Sequence, residues 1–507
     1  MKKYALPIVA IGFFFCSMQA QNLNLVRLVT QEDLSGNARF EAMSGAFGGL
    51  GGDLSSLHVN PAGAAVFSTN KFGMTYGLLS NENESTYFGT TTPTENRMDG
   101  VSQIGSVLVL KNNNEGSWKK IALGFNAQRQ TSYDNIVNIN GENSNNGLDS
   151  YFLNYADGKD GSALGLSEVE TVREIYRFFG ESPNYGFEYQ QAFLGFQGYV
   201  FDYIADDGLF ISNAAYSSVN HNHQYITKGD NWTMAFTLSG KYNDWLYLGA
   251  NLNIASIELN QTTSTFEDGY ASDSPIRRIY FDNELYTYGS GASLQFGAIA
   301  TPNPSLRVGL SYKSPTWYSL KDELSQYLET NYADPDNGNR NPILDIKNIV
   351  NVYEDYDVKT PSEIRGSVAY IFGKHGLLSL DYVYKDYQNS HIGPNDNAVF
   401  IDLNNQINKN WASTSSYRIG GELRRNGVIF RGGYHLDQSP YKNTSIESDR
   451  SGYTYGVGLN FRASTIDISF LKSNQEGSHQ LYDTGLTDRA QISSNFGRFN
   501  ISWNFKF

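Results

Sequence analysis

The chain has 507 residues, of which 14% are aromatic, with 35 Tyr, 30 Phe and 49 Gly against 13 Pro. Its formal charge of −14 makes it a poor partner for nucleic acid, whose phosphates need basic side chains. A single Cys excludes a disulfide framework, and many aromatics with few prolines suit long antiparallel strands.

At the N-terminus, Met1, Lys2 and Lys3 precede an apolar run from Ala5 through Phe15, then Ser17, Met18, Gln19 and Ala20. This pattern predicts a secretory signal over 1–20, cleaved after Ala20. The run is too short for a membrane-spanning helix, and no later stretch of 18 apolar residues follows. Cys16 lies inside the signal, so the mature chain carries no thiol. Acylation of Cys16 would want small residues where Phe14 and Phe15 stand.

Residues 21–69 do not alternate like strands. Small residues dominate, in Ser35-Gly36-Asn37-Ala38-Arg39, Ala42 through Asp53, and Asn60-Pro61-Ala62-Gly63. Gly reaches positive φ cheaply and lets backbones approach, and Pro61 pushes Asn60 out of the helical region. A compact, kinked segment of this kind suits a plug. The run Gly49 to Leu54 lacks the last Gly of a dinucleotide motif, and no βαβ unit surrounds it.

From residue 70 onward the pattern has period two. Leu248, Ala250, Leu252 and Ile254 oppose Gly249, Asn251, Asn253 and Ala255; Phe499, Ile501, Trp503 and Phe505 oppose Asn500, Ser502, Asn504 and Lys506. Strands are predicted near 71–80, 101–111, 118–130, 231–241, 245–258, 286–300, 305–316, 363–373, 376–387, 416–425, 428–437, 452–462, 464–473 and 496–507. Strand length, aromatic girdles and an aromatic C-terminus predict an all-β fold: an antiparallel transmembrane β-barrel of about 14 strands over 70–507. Tyr242-Asn243-Asp244, Gly373-Lys374-His375 and Arg425-Asn426-Gly427 read as tight periplasmic turns. The long connections 131–230 and 317–362 would face outward. A helix is expected from Ser167 to Phe179, with Val169, Val172, Ile175 and Tyr176 on one face, and a helix-like stretch from Leu320 to Tyr327. Gln190 to Ile204 reads either as helix or as strand segments.

The order Ser-Gly, small residues, Gly-rich stretch, Asp53, then Asn60-Pro61-Ala62 resembles the N-terminal hatch of the FadL-type outer-membrane transporter family. Further likeness lies in Pro304 to Pro315, Thr360 to Ser367, Tyr417 to Glu422 and Phe430 to Tyr434. The resemblance implies a 14-stranded barrel in the bacterial outer membrane, with a hatch (21–69) closing the lumen. It also implies passive movement of long-chain fatty acids or other hydrophobic compounds, and lateral exit at a kinked strand.

Inward-facing Arg307, Lys313, Arg418, Glu422, Arg424, Arg431 and Arg462 have two readings: a lumen that greets an anionic headgroup, or ion pairs that brace barrel and hatch. Asp53 has the same choice, between pairing with a wall Arg and gating the hatch with Asn60, Pro61, Ala62 and Gly63. Phe178, Phe179, Tyr318 and Leu320 could form an outer capture surface or merely pack the loops. His221 and His223 sit two apart in a predicted loop without a third metal ligand, and Asp334 to Asn339 only partly resembles a calcium loop. No catalytic arrangement stands out, so no enzyme, metal or cofactor is expected. The expected partners are a hydrophobic small molecule and outer-membrane lipid or lipopolysaccharide, around a monomer. The alternative is a surface barrel whose long loops act as an adhesin.

Overall fold

The computed structural model describes residues 22–111, 116–182, 185–334, 338–346 and 348–507. The signal segment and part of the acidic 334–339 stretch lie outside the described residues.

Fourteen antiparallel strands close into a ring: β1 Lys71–Tyr87, β2 Thr90–Lys111, β3 Trp118–Ser132, β4 Val219–Tyr242, β5 Leu246–Asp268, β6 Ile276–Ala300, β7 Leu306–Lys313, β8 Glu363–Ile371, β9 Gly376–Asp386, β10 Ser413–Arg425, β11 Val428–Asp437, β12 Arg450–Asn460, β13 Ser464–Gln480 and β14 Arg489–Lys506. Each pairs with the next, and β14 pairs back onto β1 from Lys71↔Lys506 to Thr86↔Gln491. Closure removes both sheet edges, which a lipid environment demands because no water satisfies backbone groups there.

The alternation decides which face meets what. Every strand presents exposed large apolar side chains outward, among them Leu78, Leu110, Leu123, Phe236, Leu252, Phe296 and Leu310, then Val368, Leu380, Tyr417, Phe430, Tyr455, Phe470 and Trp503. The intervening residues, such as Asn126, Asn251, Gln295, Ser367, Asp467 and Asn500, are buried and polar. A closed sheet that is apolar outside and polar inside is a membrane-spanning barrel. No helix among the described residues is long and apolar enough to cross a membrane. The tight turns are as read: Asn243, Gly373, Asn426 and Gly427 all adopt positive φ.

The N-terminal segment folds inside the ring. Asn22 caps α1 (Leu23–Thr30) by accepting from Leu25 N at 2.9 Å, and Asn37 caps α2 (Ala38–Glu41) by accepting from Phe40 N at 2.9 Å. Short 3₁₀ turns follow at Ser55–His58 and Pro61–Val66. Wall glycines make room for this backbone. A Cβ on Gly309 would lie 2.8 Å from the Gly49 Cα, and one on Gly433 would lie 2.8 Å from the Met43 carbonyl carbon.

Outside the belt the strands run on as a turret. Residues 317–334, expected to begin as a helix at Leu320, form a strand, Trp317–Asp334, that prolongs β7 alongside β6. Leu320, Leu324 and Leu328 are spaced by four, which satisfies a strand's period of two as well as a helical turn. Likewise 219–230, read as loop, is the outer part of β4, so His221 and His223 lie on a strand. The connection between β3 and β4 supplies α3 (Leu148–Ala156), α4 (Val172–Glu181) and α5 (Gly186–Gln197). Gln190 to Ile204 is thus helix as far as Gln197 and strand from Phe201. The helix expected from Ser167 starts later, at a Thr171–Glu174 capping box, which leaves Val169 outside it and 89% exposed. Phe152, Tyr176 and Phe193 of these helices pack with Phe281 and Leu328 of the β6–β7 side and with Tyr482 and Leu486 of the β13–β14 connection. This roof therefore joins opposite sides of the ring. A further helix, α6 (Ala398–Asn410), was not apparent from sequence.

Candidate functional site

Below the roof lies a chamber of about 110 Å³, floored by the N-terminal segment and walled by β3, β5 and every strand from β7 to β14. Its lining includes Glu32, Asp33, Lys313, Glu363, Arg365, Lys385, Arg418, Asp437, Arg450 and Arg498. A second cavity, of about 160 Å³, shares Gln31, Asp33, Arg450, Leu471, Gln475 and Arg498 with the first and adds Leu28, Leu79, Tyr133 and Phe496.

The expected charged residues divide between floor and chamber. Arg431 donates to Glu422 and to Asp467, both at 2.8 Å, and Glu422 also holds Arg39 at 3.3 Å and Arg424 at 2.6 Å. Arg307 donates to the Leu50 carbonyl oxygen. These arginines brace the N-terminal segment rather than face the chamber. Arg418 and Lys313 do line it, Arg418 lying 3.5 Å from Asp437 and Lys313 2.6 Å from Glu32. Arg462 is exposed in the turn between β12 and β13 and does not point inward. Asp53 pairs at 3.7 Å with Arg39 of its own segment, not with a wall arginine, and accepts from Asn37 Nδ2 at 2.6 Å and Ser55 N at 3.0 Å.

Asn60 Nδ2 donates to Gly48 O at 2.7 Å and to Ala298 O at 3.1 Å, while its Oδ1 accepts from Ala62 N at 3.1 Å. Pro61 and Ala62 sit against the β5 glycine Gly249, and Gly63 sits against Gly51. The Asn-Pro-Ala-Gly run therefore docks floor to wall. Tyr318 and Leu320 are not surface residues. At 5% and 1% exposure they pack with Leu25, Val26 and Val29 of α1 behind the wall extension. Phe179 is buried in the roof, whereas Phe178 is half exposed.

In the turret, His221 Nε2 meets Glu267 at 2.6 Å, and His223 Nε2 lies 3.3 Å from His479 Nε2. Burial, together with the neighbouring imidazoles of His479 and His221, holds His223 well below the usual histidine range. Burial, with a smaller contribution from Arg489, pulls His479 down to about 4.

Beside the chamber the wall comes apart. The β2–β3 ladder runs only from Lys111↔Lys120 to Gln103↔Gln128. Both strands bulge where it ends: β2 skips Ser102 in its pairing with β1, and β3 skips Gln130 in its pairing with β4. From there β2 continues with β1 alone up to Thr90, while β3 follows β4 and is succeeded by the strand Asn135–Asn143, which pairs only with β4. That strand runs beneath the β1–β2 hairpin, held by side chains. Asn81 Nδ2 donates to Asp134 O at 2.6 Å, Asn83 Nδ2 to Ile136 O at 2.7 Å, and Ser85 Oγ to Asn138 O at 2.6 Å. Arg129 sits at the parting, with Nη2 donating to Val101 O at 3.0 Å and Nε 3.2 Å from Asp230. Sequence reasoning did not locate this break. Its local signs were the Asp99-Gly100 pair ahead of the bulge and the buried arginine opposite.

No protein-family model and no curated protein sequence matches the chain. Solved structures do. A Pseudomonas aeruginosa FadL homologue superposes with a TM-score of 0.55 at 14% identity, over 94% of this chain and 99% of that one. The CymD monoaromatic hydrocarbon channel and the P. putida toluene transporter TodX each give a TM-score of 0.50 at 12% identity, over 94% of this chain and 99% of theirs. The chain has the fold of these channels.

Proposed function

We propose that this chain is an outer-membrane channel through which hydrophobic small molecules pass without energy coupling, the chamber receiving them and the β2–β3 parting releasing them sideways. The observation that carries this reading is the parting itself. Main-chain pairing between β2 and β3 stops at Gln103↔Gln128, and the adjoining β3 residues Gln128 and Gln130 line the chamber. A hydrophobic molecule dissolves in a bilayer but crosses a polar surface layer poorly. A barrel that captures it outside and opens into the lipid solves both problems. The tethered floor, held by the Glu422 cluster and the Asn60 docking bonds, is read as a hatch that blocks bulk diffusion. The monoaromatic hydrocarbon channel and the toluene transporter that share this fold support the ligand class. Long-chain fatty acids fall within the same reading, because the lysines and arginines of the chamber lining suit a carboxylate.

Native mass spectrometry of the purified barrel, searching for a co-purified hydrophobic molecule, tests this together with uptake in a strain lacking the gene. A bound hydrophobic species and reduced uptake are expected. An empty barrel with unchanged uptake would remove the channel reading.

A further inference from the structure

Lys313 and Lys385 reach the chamber from β7 and β9, and their ammonium groups close on one carboxylate. Lys313 Nζ donates to Glu32 Oε1 at 2.6 Å, and Lys385 Nζ donates to Glu32 Oε2. Lys385 also lies 3.2 Å from Glu363, which holds Arg365 at 2.9 Å. One lysine on each oxygen is how a free carboxylate would be held by charge-assisted bonds.

Glu32, however, belongs to the extended stretch Gln31–Ser35 between α1 and α2, not to the wall. That stretch is laid along β3 where the wall parts. Ser35 Oγ donates to Arg129 O at 2.5 Å, Asp33 N to Gln130 O at 3.3 Å, and Thr131 Oγ1 to Gln31 O at 2.9 Å. The Glu32 clamp is also open to the chamber. Its side chains are 17%, 16% and 27% exposed, against 1% for both Arg431 and Glu422 in the sealed cluster below. The neighbouring cavity offers Leu28, Leu79, Leu471 and Phe496 to an alkyl tail.

We infer that Lys313 and Lys385 form an anion clamp occupied at rest by the chain's own Glu32, and that the anionic group of an amphiphilic ligand exchanges with it. Exchange frees Gln31–Ser35 from β3 and loosens the parting. This rests on the channel reading and adds to it which ligands trigger release and how. Neutral hydrocarbons lack the competing charge and leave the latch in place.

The test titrates the full-length barrel in lipid nanodiscs with laurate and with dodecanol, which share a tail and differ in charge. Glu32→Gln removes the competitor and raises the laurate-to-dodecanol affinity ratio about tenfold, since each factor of ten needs only about 1.4 kcal/mol. Lys385→Gln lowers the ratio below wild type. In wild-type protein, laurate speeds hydrogen exchange at 31–35 and 129–131, and dodecanol does not. An unchanged ratio in Glu32→Gln, or equal exchange with both ligands, overturns the clamp. If dodecanol still binds in that case, the channel reading survives alone. If neither molecule binds the wild-type barrel, both fall.

Discussion

Replacing Glu422 by Ala should unseat the floor of the barrel. Glu422 lies 3.3 Å from Arg39 of the N-terminal segment and 2.8 and 2.6 Å from the wall arginines Arg431 and Arg424. Removing the carboxylate leaves the buried Arg431 sharing only Asp467, at 2.8 Å, and strips Arg39 of its wall partner. Deleting one partner of a buried ion pair costs about 3–5 kcal/mol, because a charge stays buried and uncompensated. The barrel's own ladder is untouched, so the cost falls on the contact between floor and wall. At about 1.4 kcal/mol per factor of ten, the unseated population rises roughly 100- to 4000-fold. A ring of 14 strands without its floor leaves an aqueous path. Single-channel recording in planar bilayers should therefore show frequent large openings in Glu422→Ala, rare ones in wild type and an intermediate rate in Glu422→Gln. Equally silent traces from all three proteins would refute the assignment of Glu422 as the floor's anchor.

Gly309→Ala places a Cβ 2.8 Å from the Gly49 Cα, so hydrogen exchange in residues 45–52 should quicken while the strands stay protected. Unchanged exchange there would mean that the wall glycines are not shaped for the segment. Arg129→Ala removes the 3.0 Å bond to Val101 O that spans the parting, and uptake of a neutral hydrocarbon by cells carrying the variant should rise severalfold; a fall would show that the arginine guides ligands instead. In the turret, His479 protonates near 4 when folded but near 6.5 when unfolded, so the folded state binds fewer protons below 6.5. Stability of 219–225 and 475–482 should hold above pH 6.5 and drain away as pH falls toward 4, at most about 1.4 kcal/mol per unit of separation. His479→Asn should make that dependence shallower in hydrogen-exchange measurements, leaving the part that buried His223 contributes, and an equally steep profile would contradict the cause given.

All fourteen wall strands were legible because lipid on one side and a packed polar interior on the other force a strict alternation, as at Leu248 to Ala255 and Phe499 to Lys506. Their outer ends were not. Above the belt, residues such as Asn220 and Asn222 face water on β4, so no apolar stripe marks the strand. Leu320, Leu324 and Leu328 misled because a spacing of four fits both periods, and only pairing with β6 decides between them. Arg307, Lys313, Arg418, Glu422, Arg424 and Arg431 face inward as read, Arg462 does not, and the partners of the inward set come largely from distant sequence. Glu32 meets Lys313 and Lys385, and Arg307 meets a backbone oxygen at Leu50. The parting of β2 from β3 depends on which neighbour each strand follows, a tertiary choice that the Ser102 and Gln130 bulges mark without specifying.

Sideways release is tested most directly by closing the parting. Asn83 on β1 and Asn135 beneath it touch through a 2.7 Å side-chain bond, and paired cysteines there can be joined by a short reducible crosslinker. Laurate uptake by cells carrying the crosslinked barrel should drop to the level of a strain lacking it and return on reduction. Laurate uptake at full rate through the crosslinked barrel would mean that ligands leave by another route, and the path assigned to β3 would be wrong.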